Sequence, residues 1–69
     1  MTRTQLFKLT QLFGQGYSRN WYADKLNFET LCAKSRLYRA MSTSDNQSPH
    51  NKIAYLKLAI LADEIAESI

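Results

Sequence analysis

One cysteine (Cys32) and one histidine (His50) are all that the 69 residues offer of either type. A lone cysteine excludes a disulfide within the chain and fits a reducing, intracellular compartment. One Cys and one His fall short of the three or four nitrogen and sulfur ligands that zinc normally takes, so no metal or other cofactor is expected. The same scarcity argues against an enzyme. A nucleophile needs a base within hydrogen-bond reach, commonly oriented by a third group, and the single His lies in a different segment from Cys32. There is no Gly-rich phosphate loop, and no segment approaches the ~20 apolar residues of a membrane span. The opening MTRTQLFKLTQLFGQG lacks the continuous apolar stretch of a signal peptide. These absences predict one cytoplasmic, non-catalytic domain over residues 1–69 that works by binding.

A chain of this length buries only about 60% of the surface its unfolded form exposes, which makes a lone domain marginal. With disulfides excluded and zinc nearly so, a partner subunit is the expected source of extra stability. Charge is unevenly distributed. All nine Lys and Arg lie in residues 1–57 against Asp24, Glu29 and Asp45, a local net of +6, whereas residues 58–69 carry only Asp63, Glu64 and Glu67, or −3. The basic part suits phosphate neutralisation, or forms an ordinary solvated surface.

Hydrophobic spacing predicts an all-α fold, a compact bundle of four to five short helices. Leu6, Leu9 and Phe13, joined by Phe7 and Leu12, give a helix over 4–13 that Thr2 or Thr4 can cap. Gly14 and Gly16 interrupt it, and Ser18 then offers an N-cap for a short helix through Trp21, Tyr22, Ala23 and Leu26. Asn27 tolerates the left-handed backbone of a tight turn, after which helix resumes from about Glu29 to Met41. The polar run 42–47 reads as the exposed loop. Ser48-Pro49 starts a closing helix over 49–67. That helix carries a wide apolar stripe (Ala54, Leu58, Leu61, Ala62, Ile65) and a narrower one almost opposite (Ile53, Leu56, Ile60). The second stripe is either a dimer seam or a second buried face.

Residues 16–40 are the most informative. A small Ala23 inside the first helix, Leu26 at its end, a turn residue at Asn27 and an apolar Phe28 beyond suit two helices crossing over a short turn. A small residue is needed where such helices touch, and apolar neighbours lock the angle. A second helix held in that way projects into a DNA major groove. It has two registers, one with Ala33, Leu37 and Met41 inward, the other with Leu31, Tyr38 and Met41. Both leave Cys32, Ser35 and Arg39 outward, with Arg36 beside them and Lys34 nearer the boundary.

The residues Gly16, Tyr17, Ser18, Tyr22, Ala23, Leu26, Asn27 and Phe28, then Ser35, Arg36, Leu37, Arg39 and Ala40, resemble the helix-turn-helix of the lambda-repressor/Cro family. Members of that family commonly read G-L-S-x-x-x-L-A-x-x-L-G-V, followed by S-R-W-x-R-G. The chain departs from the pattern at Asn27, which replaces the usual Gly, and its S-R-L-Y-R run lies one residue further from the turn. It is also similar to the very short autorepressors encoded beside anti-CRISPR genes in phages and other mobile elements. The resemblance implies a sequence-specific regulator of transcription that binds double-stranded DNA as a homodimer on an inverted repeat. The expected DNA-contacting residues are Ser18, Arg19, Asn20, Thr30, Lys34, Ser35, Arg36 and Arg39, and the expected dimer seam is Ile53, Leu56 and Ile60. Arg36 and Arg39 suit guanine edges or phosphates, and Ser18 to Asn20 sit where helix N–H groups favour a phosphate. Trp21 is expected to pack, because no regularly spaced exposed aromatics accompany it. The rival function is a small helical inhibitor or adaptor that binds protein and has no nucleic-acid role.

Overall fold

Every helix begins at a polar residue whose side chain takes up a backbone N–H that the first turn leaves unpaired. Thr2 accepts from the Gln5 N–H while the Gln5 side chain reaches back to the Thr2 N–H, and Ser18, Asn27 and Ser48 accept from Trp21, Thr30 and Asn51. In the computed structural model, which describes Met1–Ile69, these caps open α1 (Arg3–Phe13), α2 (Arg19–Lys25), α3 (Phe28–Ser42) and α4 (Pro49–Glu67), with no strand. The count is four, the lower end of the expected range. The closing helix has the expected bounds, begun by Ser48 with Pro49 in its first turn.

Asn27 does not enter the left-handed region. Its φ and ψ are −140° and 150°, extended backbone, and no residue except Gly14 and Gly16 has a positive φ. The reason is its role as cap. An N-cap side chain reaches the third N–H only from an extended backbone, and the Asn27 carboxamide oxygen accepts from the Thr30 N–H at 2.8 Å. Leu26 and Asn27 are thus the whole connection between α2 and α3.

Gly14 closes α1, its N–H donating to the Thr10 carbonyl at 2.9 Å, while its own carbonyl accepts the Tyr22 hydroxyl at 2.6 Å. Its φ of 93° and ψ of 167° lie in a region essentially reserved for glycine. A side chain there meets no neighbour within 4 Å, so only backbone strain opposes one. Gly14→Ala is accordingly expected to cost about 1–3 kcal/mol, read as a lower urea midpoint with unchanged native helicity.

The core forms where α1, α2 and α3 meet the C-terminal half of α4. It consists of Leu9, Leu12, Tyr22, Leu31, Ala62, Ile65 and Ala66, with Leu6, Phe13, Trp21, Leu26, Tyr38, Leu58 and Leu61 partly buried around it. The largest helix contact is α3 against α4, where Ala59 and Ala62, both fully buried, let the backbones approach. At the loop end of this pair Tyr38 and Tyr55 stack at 5.9 Å. The wide stripe of α4 therefore faces inward as expected in Leu58, Leu61, Ala62 and Ile65. Ala54 is exposed instead, and Ala59 and Ala66 join the buried face.

Two inward positions differ from expectation. Ala23 is exposed, because α2 turns its neighbour Tyr22 into the core to reach Gly14, which leaves Ala23 about 100° around the helix. Ser35 is only 5% exposed, because α3 lies in the register that buries Leu31 and half-buries Tyr38, and Ser35 falls between them on the same side. Ala33 and Leu37 face solvent, so the alternative register is not the one adopted.

Candidate functional site

The exposed side of α3 runs through Glu29, Ala33, Arg36, Leu37 and Ala40, residues spaced three and four apart. Arg36 is the one cation on it. The chain's two ion pairs are Lys8 with Glu64 and Arg39 with Asp63, so Arg36 has no acidic partner. A shallow groove of about 340 Å³ lies along one edge of this face, lined by Glu29, Thr30, Ala33, Lys34 and Leu37.

Of the remaining expected contact residues on α3, Ser35 is buried, Thr30 and Lys34 are half buried, and Arg39 is exposed but paired. Ser35 faces α4, where its hydroxyl accepts from the Arg39 Nε at 3.4 Å. This corrects the outward position expected for it, and the cause is the register of α3. Arg39 is half exposed, but its Nη2 donates to the Asp63 carboxylate. Lys34 lies with its ammonium over the Phe13 and Tyr38 rings, 5.5 and 5.7 Å from their centroids. Thr30 is half buried, as is Cys32, which was expected to face outward. Nothing in the local sequence announces the Arg39–Asp63 tie, because the partners are 24 residues apart.

The Ser35 hydroxyl and the Arg39 guanidinium hold the Asp63 carboxyl below its ordinary 3.8. A carboxylate favoured in the folded state adds stability above its unfolded pKa and loses it as pH falls through the lower folded value. Both Arg39 and Asp63 are roughly half exposed, so Asp63→Asn is expected to cost under about 1 kcal/mol at neutral pH. Urea midpoints measured from pH ~7 down to pH ~2 should show that gap closing with acid.

At the start of α2, Ser18, Arg19 and Asn20 are all exposed. The Ser18 hydroxyl accepts the Trp21 N–H at 3.1 Å, so capping already occupies it. The Arg19 guanidinium makes one hydrogen bond, 3.4 Å from Nη2 to the Met1 carbonyl, and it borders an open groove of about 300 Å³ with Leu6, Thr10, Gly16 and Tyr17. Trp21 packs as expected. Tyr17 covers one face at 3.9 Å, Phe13 meets it edge-on at 5.6 Å, and the Lys25 ammonium lies 5.1 Å from its ring centre. Its stacking surface is thereby used within the chain. His50 is exposed in the first turn of α4.

The second stripe of α4 is open to solvent, with Ile53, Leu56 and Ile60 exposed by 57, 42 and 46%. No three His, Cys, Asp or Glu side chains come together as a metal site, and no helix is long and apolar enough to cross a membrane. Comparison of the chain with protein-family models, with curated proteins and with solved structures found no match.

Proposed function

We propose that this chain is a sequence-specific regulator of transcription that binds double-stranded DNA, with α2 and α3 as a helix-turn-helix and the exposed side of α3 toward the bases. The observation that carries the reading is Arg36, a cation without an acidic partner on the outer face of a helix that follows α2 after two residues. A free guanidinium fork on such a face suits a guanine edge in the major groove. Arg19 and Asn20, exposed at the start of α2, suit phosphates on the flanking backbone. Ser18 and Thr30 play a supporting part, and Lys34, Ser35 and Arg39 serve mainly to hold α3 in place. The resemblance to short autorepressors points to the chain's own promoter as the target.

A second reading, a protein-binding inhibitor or adaptor, is favoured by one observation. The exposed part of α3 also carries Phe28 and Leu37, 65 and 51% exposed, and apolar side chains on an open helix face suit a protein groove. Salt separates the two. The test is a titration of the purified protein against the duplex immediately upstream of its own gene, and against a scrambled duplex, at several salt concentrations. The DNA reading expects preference for the first duplex, with log affinity falling by about 0.9 per log unit of salt for each phosphate neutralised. No binding to either duplex at low salt overturns it in favour of the protein-binding reading.

A further inference from the structure

We propose that Glu29 is a second base-reading residue, its carboxylate accepting a hydrogen bond from the exocyclic amine of a cytosine two or three base pairs from the guanine that Arg36 reads. The inference rests on the DNA reading above and names part of the sequence that α3 selects. Glu29 lies in the first turn of α3. It is exposed and seven residues before Arg36, so both side chains leave the helix on the same side. In a helix-turn-helix it is the N-terminal part of the second helix that comes closest to the base edges.

An acid at this place opposes DNA binding unless a base satisfies it. Phosphates repel it, and no cation of the chain cancels it, since the two ion pairs are Lys8 with Glu64 and Arg39 with Asp63. Lys34 lines the same shallow groove, but its ammonium lies over the Phe13 and Tyr38 rings. Nor is Glu29 needed as a cap, because the Asn27 side chain already takes the Thr30 N–H. Major-groove edges differ in what they offer a carboxylate. Cytosine presents a donor, its N4 amine, whereas guanine and thymine present acceptors and leave the carboxylate desolvated and unpaired. Adenine sets an acceptor, N7, beside its amine. The charge that weakens binding to an arbitrary duplex therefore strengthens it where a cytosine lies opposite. Between Glu29 and Arg36 stands Ala33, about one turn from each and too short to hold α3 off the bases. With α3 along the groove, the seven residues rise about 10 Å, which matches about three base steps of ~3.4 Å.

The test titrates the full chain against the duplex immediately upstream of its own gene, a scrambled duplex, and the upstream duplex changed one base pair at a time. Glu29→Ala should bind the scrambled duplex several-fold more tightly than the unchanged protein. It should bind the upstream duplex about ten-fold less tightly, with preference lost at one cytosine. Glu29→Gln should move the preference at that position from cytosine to adenine, because a carboxamide matches adenine N6 and N7 together. Arg36→Ala should relax a guanine two or three base pairs away. A Glu29 that served only the positive N-terminal end of α3 gives a different result. Its replacement would then lower the urea midpoint and weaken all duplexes alike, with no change of preference at any position. That outcome, or a Glu29→Gln variant with the base preferences of the unchanged protein, overturns the proposal and leaves the DNA reading standing. An unchanged protein that binds neither the upstream nor the scrambled duplex at low salt overturns both.

Discussion

Leu31→Ala is expected to cost about 2–5 kcal/mol, the range for deleting a leucine side chain from a packed core. Leu31 is one of three large side chains with essentially no exposure, the others being Leu9 and Ile65. So little apolar volume is enclosed that losing one of the three removes most of the ~3–5 kcal/mol that a core of this size supplies. The variant should be largely unfolded at room temperature, with helicity recovered only in stabilising osmolyte. Leu37→Ala is the matched control. Leu37 lies six residues further along the same helix and is 51% exposed, so its truncation should change stability by no more than about 0.5 kcal/mol. Urea denaturation of the two variants reads the register of α3 directly. If Leu37→Ala proves the more damaging, α3 is rotated into the register with Ala33 and Leu37 inward.

Arg36→Ala is expected to cost about 1–3 kcal/mol of binding on the specific duplex and to relax preference at one base position, as for a lost bidentate contact. The comparison with Arg39→Ala is what gives this force. Both residues are arginines on α3, but Arg39 already donates to Asp63 and to the Ser35 hydroxyl, whereas Arg36 is in no ion pair. Removing Arg39 should therefore affect folding slightly and DNA affinity less than removing Arg36. Arg19→Ala should weaken specific and scrambled duplexes alike and make the salt slope shallower by about one unit per subunit, as a phosphate contact does. Titrations of the three variants against both duplexes separate these outcomes.

Local signals carried most of the architecture. Three of the four caps, Thr2, Ser18 and Ser48, are short-range hydrogen-bonding preferences legible in the residues themselves, and the two glycines mark the end of α1 because their backbone demands glycine. The direction each helix faces was less legible. Ala23 reads as an inward contact when α2 is considered alone, yet the Tyr22 hydroxyl bond to Gly14 fixes the rotation of α2, and its acceptor lies in the preceding loop. Ser35 is expected outward in both registers, yet it lies four residues after Leu31 and so shares its side, and its hydroxyl can be buried there because it has a partner, Arg39, held by Asp63 on another helix. Asn27 is legible as punctuation but not as an extended cap, since the same side chain also suits a left-handed turn. Of the candidate contact residues, Ser18, Arg19, Asn20 and Arg36 are exposed as expected. Lys34 and Arg39 are engaged by Phe13 and Asp63 on other helices, and helical periodicity cannot reveal such pairings; only the Lys34–Tyr38 contact, four residues apart on α3, is within its reach.

The most direct measurement of the central claim is the pattern of backbone amide shifts when the isotope-labelled protein is titrated with the duplex from upstream of its own gene. If the outer face of α3 meets DNA, the largest changes should fall on Ala33, Arg36, Leu37 and Ala40, with a second group at Arg19 and Asn20, and they should fade as salt is raised. Core amides such as those of Leu9 and Ile65 should stay in place. Shifts confined to Ile53, Leu56 and Ile60, or none at low salt, would contradict the account.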